Sequence, residues 1–304
     1  MPAALKSTIV RKKAAFLALR GGLRATQVVS REAAAAWSER LFLTPRRYPT
    51  PEHERAFLAS GEHSRLPFRG GELALWSWGA GESAGAAPAL PPVLLVHGWA
   101  GRAGQFASIA PALVAAGHPR VVAFDGPAHG ASSGTRCSLP EMAESVRAVA
   151  DAAFGAGARA ALVAHSFGAA ASVMAICRGL AVARVAFLAP AADPMSFIRG
   201  FACRLAIAPA TIEMMMRRIE RRFGVSRADF DILAAAPGMR APLLVVHDWA
   251  DAGVPFADGE RLAAAWPGAT LVTTAGLDHV RVLHWPEVVE RVREFISAAR
   301  PTAA

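Results

Sequence analysis

The sequence predicts an α/β fold, a mostly parallel sheet flanked by helices with a small helical insertion. Three observations predict it. Short apolar runs at 92–97, 120–124, 160–165, 185–189, 242–247 and 270–274 alternate with helical patterns, which is the rhythm of βαβ crossovers. Apolar residues make up 53% of the chain and charged ones 19%, as buried parallel strands between Ala-rich helices require. The rhythm breaks once, between Pro190 and Pro242, where far more chain intervenes than the dozen or so residues a crossover needs.

Taken in order, residues 1–50 read as a basic helical arm and 51–304 as the body, with the insertion at about 191–240. Ten of the Lys and Arg fall in the first fifty residues against two acids, so the net +9 is almost wholly an N-terminal feature. There Ile9, Val10, Phe16, Leu17, Leu19 and Leu23 alternate loosely with Lys12, Lys13, Arg20 and Arg24. Two readings stand: residues 1–45 touch a membrane or another anionic surface, or the helix packs its Leu and Phe on the body and solvates its charges. The apolar stretch is too interrupted for a signal peptide. Nucleic-acid binding is disfavoured, because the arm lacks interleaved aromatics and no recognised module follows.

Leu43 to Pro51 is a proline-punctuated connector. Arg65 to Trp78 alternates around Gly70-Gly71, the pattern of an antiparallel hairpin. Residues 80–91 form a Gly/Ala/Pro loop. Within the insertion, Pro194 to Leu205, Thr211 to Phe223 and Arg227 to Ala236 read as short helices. Met215, in the run Met214-Met215-Met216, either lines a pocket or fills core. Arg217, Arg218, Arg221 and Arg222 either steer an acidic substrate or form a solvated face.

No apolar run reaches the ~18 residues that span a bilayer. Cys137, Cys177 and Cys203 are an odd number without framework spacing, which favours free thiols in a reducing compartment. The expected location is therefore cytoplasmic, with peripheral membrane association if the arm makes the first kind of contact.

The chemistry centres on Val163-Ala164-His165-Ser166-Phe167-Gly168, at the corner between an apolar strand and an Ala-rich helix. A tight turn there holds the Ser166 hydroxyl clear of the backbone, beside the free N–H groups of a helix N-terminus. A serine needs a base within hydrogen-bond reach, and His279 follows the last strand after the Gly276-Leu277 turn. His97-Gly98-Trp99 closes the first parallel strand, and His247-Asp248-Trp249-Ala250-Asp251 closes the run at 242–247. Serine, acid and histidine thus follow in chain order at strand carboxyl ends, where open sheets place their sites.

In these motifs, and in Phe124-Asp125-Gly126-Pro127-Ala128-His129-Gly130, the chain resembles the α/β-hydrolase superfamily over residues 65–299. The resemblance implies Ser166 as nucleophile, His279 as base and Asp251, ahead of Val254-Pro255, as the orienting acid; Asp248 is the alternative. It implies an oxyanion hole from the Trp99 and Phe167 backbone N–H groups, and a lid formed by the insertion. His165, adjacent to Ser166, is expected to point to the other face and tune the pocket rather than act as base, and Trp249 either contributes to it or packs at the sheet edge. One departure from the family pattern is Ala164, where the elbow usually carries glycine.

A serine, not an aspartate, at 166 disfavours the halide- and epoxide-processing branches. No cofactor is implied, and histidines and acids lack metal-ligand spacing. The expected reaction is cleavage of a small-molecule carboxylic ester or thioester through an acyl-enzyme. An acyltransferase or a C–C bond hydrolase would use the same residues, and a ligand-binding or membrane-surface protein with vestigial catalysis is the reading from another class.

Overall fold

The computed structural model describes residues 3–79 and 90–298, and the side chains of all of these except 3–10 and 12. The loop expected at 80–91 lies outside the described residues but for its last two positions, as do the side chains of Ile9, Val10 and Lys12. The chain folds as two compact units, one of residues 1–44 and 195–230, the other of 45–194 and 231–304.

The larger unit carries the sheet. After helix α3 (Glu52–Ala59) come β1 (Glu62–Phe68) and β2 (Gly71–Trp78), then β3 (Val93–Val96), α4 (Ile109–Ala115), β4 (Val121–Phe124), α5 (Leu139–Phe154), β5 (Ala160–His165) and α6 (Phe167–Cys177). β6 (Val182–Leu188) precedes the insertion; α9 (Ile232–Ala235), β7 (Leu243–Asp248), α10 (Phe256–Ala265), β8 (Thr270–Thr274), α11 (Asp278–Arg281) and α12 (Pro286–Ser297) complete the unit. The strands lie in the order β1-β2-β4-β3-β5-β6-β7-β8. β1 and β2 pair antiparallel, β2 joins β4 antiparallel, and every later pairing is parallel. This is the α/β architecture the alternating pattern predicts. β6 starts three residues earlier than its apolar run, because Val182 pairs with Ala160 across an irregularity in the β5 register.

Side chains alternate across the sheet. Val93, Leu95, Val121, Ala123, Val163, Leu188 and Val246 share one core with Ile109 and Leu113 of α4 and Val288, Val292 and Ile296 of α12. Their neighbours Leu94, Val122, Leu162, Phe187 and Val245 are equally buried and point to the opposite face, that of α5 and α6. Burial of both faces explains why these strands read as continuous apolar runs.

The smaller unit is helical: α1 (Ala3–Val29), α2 (Arg31–Phe42), α7 (Pro194–Leu205, whose first residue belongs to the larger unit) and α8 (Pro209–Phe223). The basic arm and the insertion thus fold together. Leu23, Leu205 and Ile207 form its core with Phe16, Leu19, Trp37 and Phe201. Glu39 is buried in α2 and paired with Arg218 at 2.7 Å and Arg222 at 3.1 Å. Burying that carboxylate would be costly without the two guanidinium groups, so half of the α8 arginine cluster serves its own unit.

Candidate active site

Strand β5 delivers Ser166 into a sharp turn with φ 53 and ψ −120. A non-glycine residue in that region costs on the order of 1–3 kcal/mol, and the surroundings hold it there. The Ser166 N–H donates to Leu188 O at 3.0 Å, and its carbonyl accepts from Ala169 and Ala191. Helix α6 leaves the turn so close to β3 that a Cβ at Gly168 would lie 2.5 Å from both the Val96 and His97 carbonyl oxygens. Glycine is required there for that close approach. Ala164, in turn, is fully buried within β5, and the turn forms with it.

Three expected residues come together. The Ser166 hydroxyl lies 3.0 Å from His279 Nε2, and His279 Nδ1 lies 2.7 Å from Asp251 Oδ2. A carboxylate only accepts, so the ring proton sits on Nδ1, and Nε2 is left to accept from the serine. Asp251 Oδ1 takes the Gly253 and Val254 N–H groups at 2.7 and 2.8 Å. Burial alone would raise the Asp251 carboxyl, but hydrogen bonds from His247, His279 and the Val254 N–H outweigh it and hold the group well below the ordinary carboxylate range.

Asp248 does different work. It accepts from the Ala250, Gly276 and Leu277 N–H groups and from Thr274 Oγ1, bracing the two turns beyond β7 and β8. Asp278 caps its own turn through the Val280 and Arg281 N–H groups.

Trp99 and Phe167 stand beside the serine. A Cβ on Gly98 would come within 2.9 Å of Ser166 Cβ, so the 97–99 loop runs directly against the turn. The two aromatic rings meet edge to face at 5.3 Å. Among the described residues neither backbone N–H has an internal acceptor. The Gly98 carbonyl is gripped by His97 Nδ1 at 2.7 Å and the Gly101 N–H at 3.0 Å. A peptide's C=O and N–H point in opposite directions, so that grip sets the direction of the Trp99 N–H. His97 Nε2 accepts from the Gly126 N–H at 2.8 Å, which fixes the tautomer.

His165 is buried, and its Nε2–H donates to the His279 carbonyl at 2.8 Å. It therefore bears on the backbone that carries the base-position histidine, and its ring lies 4.6 Å from the His279 ring. Trp249 is 63% exposed and stacks on Phe256. Met215 belongs to the helical unit and is fully buried. Sequence reasoning missed His247 as a partner of the acid: its Nε2 lies 3.4 Å from Asp251 Oδ2 and 3.2 Å from Val254 O. Its position as the histidine closing the strand was the available signal. Among the described residues no group of histidines, cysteines and acids is arranged to hold a metal ion.

Burial holds three imidazoles neutral: His97 is lowered to about 4, and His129 and His165 to about 3. Unfolded, each titrates near ~6.5. Between these values the unfolded chain binds protons that the folded chain does not, so their stability contribution is complete above pH ~6.5 and is lost as pH falls. The loss is up to ~1.4 kcal/mol per pH unit for each ring. Thermal melts should therefore show Tm falling steadily from pH 7 to pH 5. A flat Tm across that window would mean that these rings take up protons in the folded protein as readily as in the unfolded chain.

A sequence profile described as the alpha/beta hydrolase fold matches residues 91–230. The fold is that of the α/β-hydrolase superfamily. Solved structures with the same fold include a hydrolase from Pseudomonas aeruginosa PA01, 21% identical with a TM-score of 0.57 over 79% of this chain and 100% of that one. The enol-lactonase from Burkholderia xenovorans LB400 is 20% identical with a TM-score of 0.57, covering 77% and 100%. Est1E from Butyrivibrio proteoclasticus, with ferulic acid bound, is 17% identical with a TM-score of 0.59, covering 77% and 96%. No curated protein matches the chain in sequence.

Proposed function

We propose that this α/β-hydrolase-fold protein cleaves a carboxylic ester or thioester through an acyl-enzyme on Ser166. The observation that carries the reading is the unbroken hydrogen-bond chain from Ser166 through His279 to Asp251. His279 Nε2 takes the serine proton as Oγ attacks the substrate carbonyl. Asp251 keeps the ring in the competent tautomer and stabilises the imidazolium. The Phe167 and Trp99 N–H groups receive the developing oxyanion, each such donor being worth roughly 3 kcal/mol. His279 then protonates the departing alkoxide or thiolate, and water repeats the sequence to release the acid.

The solved lactonase and the ferulic-acid-bound Est1E, alike in fold, support an ester-type carbonyl as the target. The aromatic pair at 99 and 167 favours an apolar acyl group of limited size.

The test is hydrolysis of a chain-length series of p-nitrophenyl esters and matched acyl thioesters. Turnover with an optimum at short or aromatic acyl groups is expected. Absence of turnover across the series by folded protein would overturn the reading.

A further inference from the structure

We propose that the helical unit docks on an anionic phospholipid surface, through one stripe of α1 and a recess at that helix's C-terminal end. At 3.6 residues per turn, Lys13, Leu17, Arg20, Arg24 and Val28 fall on one stripe of α1 about 22 Å long. Phe16, Leu19 and Leu23 lie to one side of it and pack into the unit's core. The stripe mixes cations with apolar side chains that stand in solvent: Leu17 is 54% exposed, and Val28 and its neighbour Val29 are 88% and 87% exposed. A face that merely solvates its charges has no reason to carry them. Among the described residues, Lys13, Arg20, Arg24 and Arg31 have no acidic partner, while the buried Glu39 is already paired with Arg218 and Arg222.

The stripe ends at an open recess of about 660 Å³ lined by Arg24, Arg31, Val28, Val29, Ala208 and Thr211, among others, with no acid in its wall. Its far side is the start of α8, which has Pro209 in its first turn and no side-chain cap. The recess is built rather than incidental. Gln27 clamps the loop before α8, donating to Ala206 O at 3.2 Å and accepting from the Ala208 N–H at 2.6 Å. Ala206 is held at φ 54, and the buried Thr211 hydroxyl has no partner. Two guanidinium groups, a helix N-terminus and an unsatisfied hydroxyl suit a phosphate group. The protruding valines beside it suit the headgroup–acyl boundary, with the arginine stems lying along them. The absence of an aromatic stacking platform on the stripe favours lipid over nucleic acid. None of this depends on the ester-hydrolase reading.

The test is co-sedimentation of the full chain with vesicles of phosphatidylcholine alone and of an equal mixture with phosphatidylglycerol. Binding to the mixed vesicles, weakened by salt, is expected. The triple variant Arg20→Gln/Arg24→Gln/Arg31→Gln should bind roughly a hundredfold more weakly, at about fivefold per basic residue. Val28→Ser/Val29→Ser should also weaken binding, without changing the charge. Arg147→Gln, on the larger unit, is the control and should bind as the parent does. Circular dichroism verifies that each variant is folded. Equal binding by the arginine variant, or equal binding to both vesicle types, would overturn the proposal. So would titratable binding of inorganic phosphate, or retention on duplex DNA, without vesicle binding.

Discussion

Replacing Ser166 with alanine is expected to lower kcat by about a millionfold on any ester the parent protein turns over. The loss is that large because the oxygen atom that would carry the acyl group disappears, and no neighbouring side chain can take its place. His279 is held by Asp251 and directed at the serine oxygen alone. The backbone around position 166 is fixed by its own N–H and carbonyl hydrogen bonds, so Ser166→Ala should keep the fold and substrate binding. A fluorophosphonate probe should label the parent and spare the variant. Turnover surviving within a hundredfold would place the nucleophile elsewhere.

Asp251→Asn is expected to cost about 10⁴-fold in kcat while leaving the protein folded. The geometry says why. The Oδ1 position accepts from the Gly253 and Val254 N–H groups, so an asparagine must keep its carbonyl oxygen there. Its NH₂ group then faces His279 Nδ1, where a donor meets a donor. The imidazole must move its proton to Nε2 to relieve that clash, and in that tautomer it can no longer accept from Ser166. Asp248→Asn supplies the contrast: it loosens the braced turns and lowers Tm but leaves His279 untouched. If Asp248→Asn proved as damaging to kcat as Asp251→Asn, the assignment of the acid would fail.

The sheet was legible because its strands are buried on both faces, and such strands announce themselves as apolar runs whatever surrounds them. The hairpin was legible through Gly70-Gly71, and the serine turn through the contrast between an apolar strand and small residues after it. The early start of β6 was not, since Val182 and Ala183 are indistinguishable in type from the residues of a loop entering a strand. His247 was hidden for another reason. Its contact with Asp251 spans a turn of four residues, and whether a ring at a strand end folds back on that turn depends on packing, not on spacing. The association of the basic arm with the insertion was equally hidden. It rests on Leu23 meeting Leu205 and on Glu39 meeting Arg218, contacts between segments some 180 residues apart, with no local pattern linking them.

The grip on the Gly98 carbonyl separates two properties that share one residue. The aim of the Trp99 amide is set from behind, by His97 and Gly101, while the Trp99 ring points elsewhere, against Phe167 and His129. A change of side chain at 99 therefore reshapes the wall beside the serine and leaves the amide where it was. A change at 97 does the reverse. On the proposed reading, substrate preference would change through one residue of this loop while the oxyanion donor is held in place by another.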